Sequence, residues 1–88
     1  MNGMKETVVY PVIDYTATGK NIMELRLQHG LSVREMQEIF GFTSPQPIYK
    51  WQWGKTLPDI SNLLLMSSLW NIPVEKILVL EHRELPVS

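Results

Sequence analysis

Ser32 stands directly before Val33-Arg34-Glu35, and the run VREMQEIF ends at Gly41. That short stretch constrains the chain more than any other. A Ser with Glu three residues later is a capping box: the hydroxyl takes one orphan N–H of a first helical turn, and the carboxylate reaches back for another. Gly30 before it and Gly41 after it supply the left-handed positions that end helices. The box therefore predicts a helix over 33–40, with Val33, Met36 and Phe40 as its apolar stripe. A helix of this length is marginal alone and must be held by packing.

The same punctuation sorts the rest of the chain. Ile22, Leu25 and His29, with Met23 and Leu27 nearby, recur at helical spacing and predict a helix over 17–29 ending at Gly30. Asp59 caps ISNLLLMSSLW, predicting a helix over 60–70 with Ile60, Leu63, Leu64, Met66 and Trp70 turned inward. Asn71 suits a left-handed C-terminal position, and Pro73 pre-sets the first turn of a last helix over 74–79. Residues 1–15 differ: Val8, Val9, Tyr10, Val12 and Ile13 surround Pro11, so β-branched residues with an interrupting proline predict an extended arm or edge strand. The expected organisation is an arm over 1–15, a helical domain over 16–80 and a tail over 81–88.

The segment FGFTSPQPIYKWQWGK, 40–55, poses a puzzle. Its second half has helical spacing up to Gly54, yet it opens with Pro45 and Pro47. In the first turn of a helix the N–H groups have no internal partner, so proline costs little there. Either Ser44 caps a helix whose first residue is Pro45, which gives a helix over 45–53, or Gln46 caps one that starts at Pro47, since Pro47 disfavours helical geometry at Gln46.

Five helices, two of them short and joined by a Gly-containing turn, form a helix-turn-helix arrangement. Over about residues 20–78 the chain resembles the lambda-repressor-like, Cro/cI-type (XRE) helix-turn-helix family. The matching residues are Ile22, Leu25-Arg26, Gly30-Leu31-Ser32, Glu35-Met36, Phe40-Gly41, Ile48, Lys50-Trp51, Gly54-Lys55, Pro58, Leu63, Asn71-Ile72-Pro73 and Ile77-Leu78. Three positions depart from the family pattern. Gly41 to Gly54 is one residue longer than usual, Gln37 stands where a small alanine is typical, and Gln52 replaces the acid that pairs with the arginine matched by Arg26. The resemblance implies an all-α, five-helix DNA-binding domain, here with an extended N-terminal arm. The expected core is Ile22, Leu25, Leu31, Met36, Phe40, Ile48, Trp51, Leu63, Met66, Ile77 and Leu78.

The resemblance also implies that the second helix of the pair lays its N-terminal turn in the major groove of double-stranded DNA. Gln46, whose amide can pair bidentately with adenine, then becomes a base reader, with Tyr49 and Lys50 beside it. Arg34, Ser44 and Lys55 become phosphate contacts. Trp51 packs behind the helix, while Trp53 stands at a position often polar in the family and is placed beside the sugar-phosphate backbone.

Composition bounds the alternatives. Eight Lys+Arg against nine Asp+Glu give a net charge of −1, which argues against purely electrostatic binding of nucleic acid. Half-sites read by two copies would compensate, and the apolar residues at both ends make a homodimer the expected state. Cysteine is absent, which excludes disulfides and thiolate metal sites. His29 and His82 share no ligand or catalytic spacing, and no phosphate-loop or nucleophile motif occurs, so no enzyme activity, cofactor or metal is expected. Without a leader or an apolar run of ~18 residues, the chain reads as soluble and cytoplasmic. The alternative function is a protein-interaction module on the same scaffold, antitoxin-like or a mobile-element accessory protein, which the charge balance and the apolar Ile39 favour.

Overall fold

The computed structural model describes residues 6–87, which form β1 (Glu6–Ile13), α1 (Tyr15–Gln28), α2 (Val33–Phe40), α3 (Gln46–Gln52), α4 (Ile60–Trp70), α5 (Val74–Ile77) and β2 (Leu80–Val87). The fold class is therefore mixed, not all-α. The five helices form as expected, but β1 and β2 pair antiparallel in continuous register from Glu6↔Val87 to Ile13↔Leu80. Pro11, read from the sequence as an interruption, sits inside this ladder. No helix among the described residues is long and apolar enough to cross a membrane.

Local chemistry sets each boundary. The Asp14 carboxylate accepts from the Ala17 amide at 2.9 Å, so α1 starts at Tyr15, two residues before the predicted start. Both halves of the capping box at α2 are made: the Glu35 amide donates to Ser32 Oγ at 3.0 Å, and the Ser32 amide donates to Glu35 Oε1 at 2.9 Å. Hydrogen bonding of the ionised carboxylate by Ser32, first through its backbone amide and then through its side chain, holds Glu35 below its ordinary pKa. Asp59 caps α4 through the Asn62 amide at 2.8 Å, and Asn71 ends that helix in the left-handed conformation (φ 53°).

Ile22, Met36, Ile48, Trp51, Leu63, Met66, Trp70 and Ile77 form the buried core, with Leu25, Leu31, Phe40 and Leu78 packed partly buried against it. Phe40, Phe42 and Trp51 meet with ring centroids 5.6–5.8 Å apart, Trp51 presenting an edge contact to each phenylalanine. That cluster ties the α2–α3 turn to the core. Two inward assignments in α4 fail, since Ile60 is 75% and Leu64 58% exposed. The helix carries no charged residue, so hydrophobicity alone could not orient it.

Two features place α3 against α1. Gly19, buried in α1, lies so close to α3 that a Cβ there would collide with the backbone carbonyl of Trp51 and crowd that of Gln52. Gly54 ends α3 at φ 72°, and a Cβ on it would lie 2.7 Å from Thr16 Cα. Both positions tolerate no side chain. The ribbon is tied to the same helix: the fully buried Thr18 hydroxyl accepts from the Val79 amide at 2.9 Å, and the Asp14 amide donates to the Val79 carbonyl at 2.9 Å.

Candidate nucleic-acid interface

α3 has two faces because 3.6 residues complete a turn. Ile48 and Trp51 are buried in the core. Gln46, Tyr49, Lys50 and Trp53 follow one another at i, i+3, i+4 and i+7, on the outward side. Gln46 and Lys50 are exposed and Tyr49 is half-buried. Trp53 is 58% exposed and stacks on Tyr49, ring centroids 5.5 Å apart and planes 18° from parallel. The sequence reading left Trp53 outside the base-contacting set. Its i+4 spacing from Tyr49 was the signal that the two rings form one unit.

The start of α3 lies between the two alternatives read from sequence. Pro45 occupies the cap position, and its carbonyl accepts from the amides of Ile48 at 3.1 Å and Tyr49 at 3.2 Å. Gln46 is the first helical residue and Pro47 follows in the first turn, where its missing N–H costs little. Ser44 Oγ accepts from the Gln46 amide at 3.4 Å, so this hydroxyl is turned toward its own turn. Gln46 thus projects from the first residue of the helix.

The connection between α2 and α3 runs from Gly41 to Pro45, five residues against the three or four usual in a helix-turn-helix. Gly41, at φ 70°, lets the Phe42 amide reach back to the Gln37 carbonyl at 3.0 Å, while Gln37 Nε2 donates to the Phe42 carbonyl at 3.3 Å. The wider turn leaves a cleft of about 330 Å³ between the helices, lined by Val33, Arg34, Gln37, Glu38, Pro45 and Tyr49. Arg34 and Tyr49, far apart in sequence, are brought to one cleft. Glu38 adds a negative charge to the same wall, a group that sequence reasoning did not place there.

Lys55 follows Gly54 at the other end of α3, exposed, and its amide donates to the Lys50 carbonyl at 2.9 Å. Behind the helix, Arg26 Nε donates to Gln52 Oε1 at 2.9 Å and its Nη1 to the Leu31 carbonyl at 2.8 Å. A hydrogen bond from the charged guanidinium to a neutral amide therefore stands where the resemblance led one to expect an ion pair, and Arg26 links α1, α3 and the loop before α2. Among the described residues the one ion pair is Arg83–Glu81 in β2, so Arg34, Lys50 and Lys55 make no direct ion pair, although Glu38 lies near Arg34 on the cleft wall. His29 stacks on Trp70 at 5.9 Å, and His82 lies opposite Pro11 in the ribbon.

No protein-family model matches the chain, and no curated protein matches it in sequence. Solved structures do match. The crystal structure of the DNA-binding domain of BldD is similar over 75% of this chain and 94% of its own, with a TM-score of 0.62 and 18% identity. The S. venezulae BldD DNA-binding domain gives the same TM-score, identity and cover of this chain, over 97% of its own length. At that identity the likeness establishes the fold. The chain has the helix-turn-helix architecture of those DNA-binding domains.

Proposed function

We propose that this protein is a sequence-specific double-stranded-DNA-binding regulator of transcription, of the Cro/cI (XRE) type, acting as a homodimer in the cytoplasm. The observation that supports it best is the uncovered face of α3. An amide, an aromatic pair and a cation stand on successive turns of a helix whose other face is locked in the core, and Arg34 flanks them across a cleft. In this role α3 enters the major groove. Gln46 reads a base edge, Tyr49 and Lys50 extend the reading, and Arg34, Ser44 and Lys55 hold phosphates on either side. No step of chemistry, cofactor or metal is involved. The net charge of −1 keeps non-specific affinity low, so base contacts and a doubled site carry the binding.

The test is selection of bound fragments from random-sequence DNA. Enrichment of a palindrome with half-sites about one helical turn apart supports both specificity and the dimer. Recovery of no motif, with affinity that vanishes at physiological salt, contradicts the proposal. A second function, that of a protein-interaction module of antitoxin-like or mobile-element accessory type, is favoured by the exposed aliphatics Ile39, Ile60 and Leu64. It predicts that substituting these three abolishes activity in the cell while DNA binding by the purified chain is unaffected.

A further inference from the structure

The ribbon is the part of the molecule that the proposed DNA contact does not use. Its two eight-residue strands, with 66 residues (14–79) between them, extend ~27 Å at ~3.4 Å per residue. That length fits a molecule 59 Å long and only 24 Å and 20 Å across. Every residue of β2 is exposed, as are Val8 and Val9 in β1. A two-stranded ribbon with neither face covered is marginal in water; three or more strands or a packed second layer are needed for stability.

Its edges are poor places to add a strand. The Asp14 amide bonds to the Val79 carbonyl, so 14 and 79 form a hydrogen-bonded pair, and such pairs alternate along an antiparallel ladder. Even-numbered residues of β1 therefore turn their N–H groups to β2, and odd-numbered ones turn theirs to the open edge. Pro11 is an outward position, and Pro86, opposite Thr7, is the matching outward position of β2. Each open edge has a proline where an incoming strand would need a donor. That leaves the faces.

Cross-strand partners share a face, so one face carries the pairs Glu6–Val87, Val8–Leu85, Tyr10–Arg83 and Val12–Glu81. Val8 and Leu85, 46% and 51% exposed, adjoin Val87 to make an aliphatic cluster. Nearer the body, Glu81 and Arg83 lie two residues apart with Arg83 Nη2 3.2 Å from Glu81 Oε1. An acid and a permanent cation in that order are self-complementary. A two-fold axis through the face near the level of His82 lays a second ribbon antiparallel, Arg83 over the other copy's Glu81 and Glu81 over its Arg83. The opposite face carries His82 and Glu84 and has no permanent cation.

We propose that the occupant of this face is a second copy of the chain, its ribbon packed antiparallel on the same face with two reciprocal Arg83–Glu81 pairs at the centre. The Val8–Leu85–Val87 cluster of each copy then leaves water against the other molecule. The contact deepens the homodimer part of the proposed function. Being isologous, it closes at two copies. A footprint ~27 Å by ~10 Å is well under the ~800 Å² per partner of a standard interface, so the dimer is weak and reversible.

Sedimentation velocity of the full chain over a concentration series, without DNA, tests this. The wild type is expected to pass from monomer to dimer. Glu81→Arg and Arg83→Glu should each weaken association by roughly tenfold or more through like-charge contact. An equimolar mixture of the two variants should associate as tightly as the wild type, because one partner then presents two cations and the other two anions. An ion pair that acts only within one chain gives no rescue on mixing. Wild type that stays monomeric, single variants that associate normally, or a mixture no tighter than its components would each overturn the proposal. Binding of a single-half-site duplex by a strictly monomeric chain would overturn the ribbon contact alone and leave the DNA contact standing, whereas a dimer that ignores DNA would do the reverse.

Discussion

Gly19→Ala opposes two effects of known size. Alanine is favoured over glycine inside a helix by about 1 kcal/mol, and Gly19 lies five residues into α1, so propensity alone predicts stabilisation. Packing predicts the reverse. The added Cβ meets the carbonyls of Trp51 and Gln52, which are backbone and cannot rotate aside. Overpacking of this kind costs typically 1–3 kcal/mol, and a collision with fixed atoms belongs at the upper end. The net expectation is a loss of about 2 kcal/mol, or roughly 10 °C in Tm for a domain of this size. Because the strain is relieved by moving α3 off α1, the loss should be accompanied by weaker DNA binding. Thermal and urea unfolding followed by circular dichroism measure it, with Ser68→Ala on the exposed side of α4 as a control for propensity alone. A Gly19→Ala chain more stable than wild type would refute the close approach of α1 and α3.

Lys55→Ala should weaken binding to every duplex and flatten the salt dependence by about one unit, whereas Gln46→Ala should relax preference at one base pair by roughly 1–3 kcal/mol. Anisotropy titrations on specific and random duplexes at several salt concentrations separate the two, and equal losses on both duplexes for Gln46→Ala would remove it as a reader. Glu35 is held below its ordinary pKa by the Ser32 backbone and hydroxyl, so its contribution is present above the unfolded-state pKa and lost as pH falls through the lower folded value. Ser32→Ala keeps the leading backbone bond and removes only the hydroxyl's share, so it should raise the Glu35 pKa part of the way toward the ordinary range and cost about 1 kcal/mol at neutral pH through the lost cap; an unchanged Glu35 titration by NMR would contradict this. Thr18→Val keeps the volume but strands the Val79 amide, costing about 1–3 kcal/mol. Amide exchange at Val79 and along β2 should then accelerate, and unchanged exchange would show that Thr18 does not anchor the ribbon.

Local chemistry was legible where a few neighbouring residues decide the outcome. Ser32, Glu35 and Gly41 fix both ends of α2 within ten residues of chain, and Asp59 and Asn71 do the same for α4. An extended arm or edge strand was legible in residues 1–15, but its pairing with β2 was not, because the ladder joins residues more than 60 positions apart. Only the ladder's alternation shows that Pro11 sits where no donor is required by β2. Ile60 and Leu64 were misplaced because α4 offers no charge to mark its wet side. Gly19 carried no signal at all: its role depends on where α3 lies, which a helical pattern in α1 does not contain. For the candidate interface, spacing put Gln46, Tyr49 and Lys50 on one side of α3. The joining of Tyr49 with Arg34 in one cleft required the turn geometry, and the Tyr49–Trp53 stack was visible only as an i, i+4 coincidence.

An NMR titration of the chain with a selected duplex, following backbone amides and the side chains of Gln46 and Trp53, most directly tests the use of α3 as the DNA-contacting element. The expected result is large, saturating shifts at Gln46, Tyr49, Lys50 and Trp53, with smaller ones at Arg34, Ser44 and Lys55 that diminish as salt is raised. Shifts confined to α4 or the ribbon, with α3 silent at saturation, would contradict it.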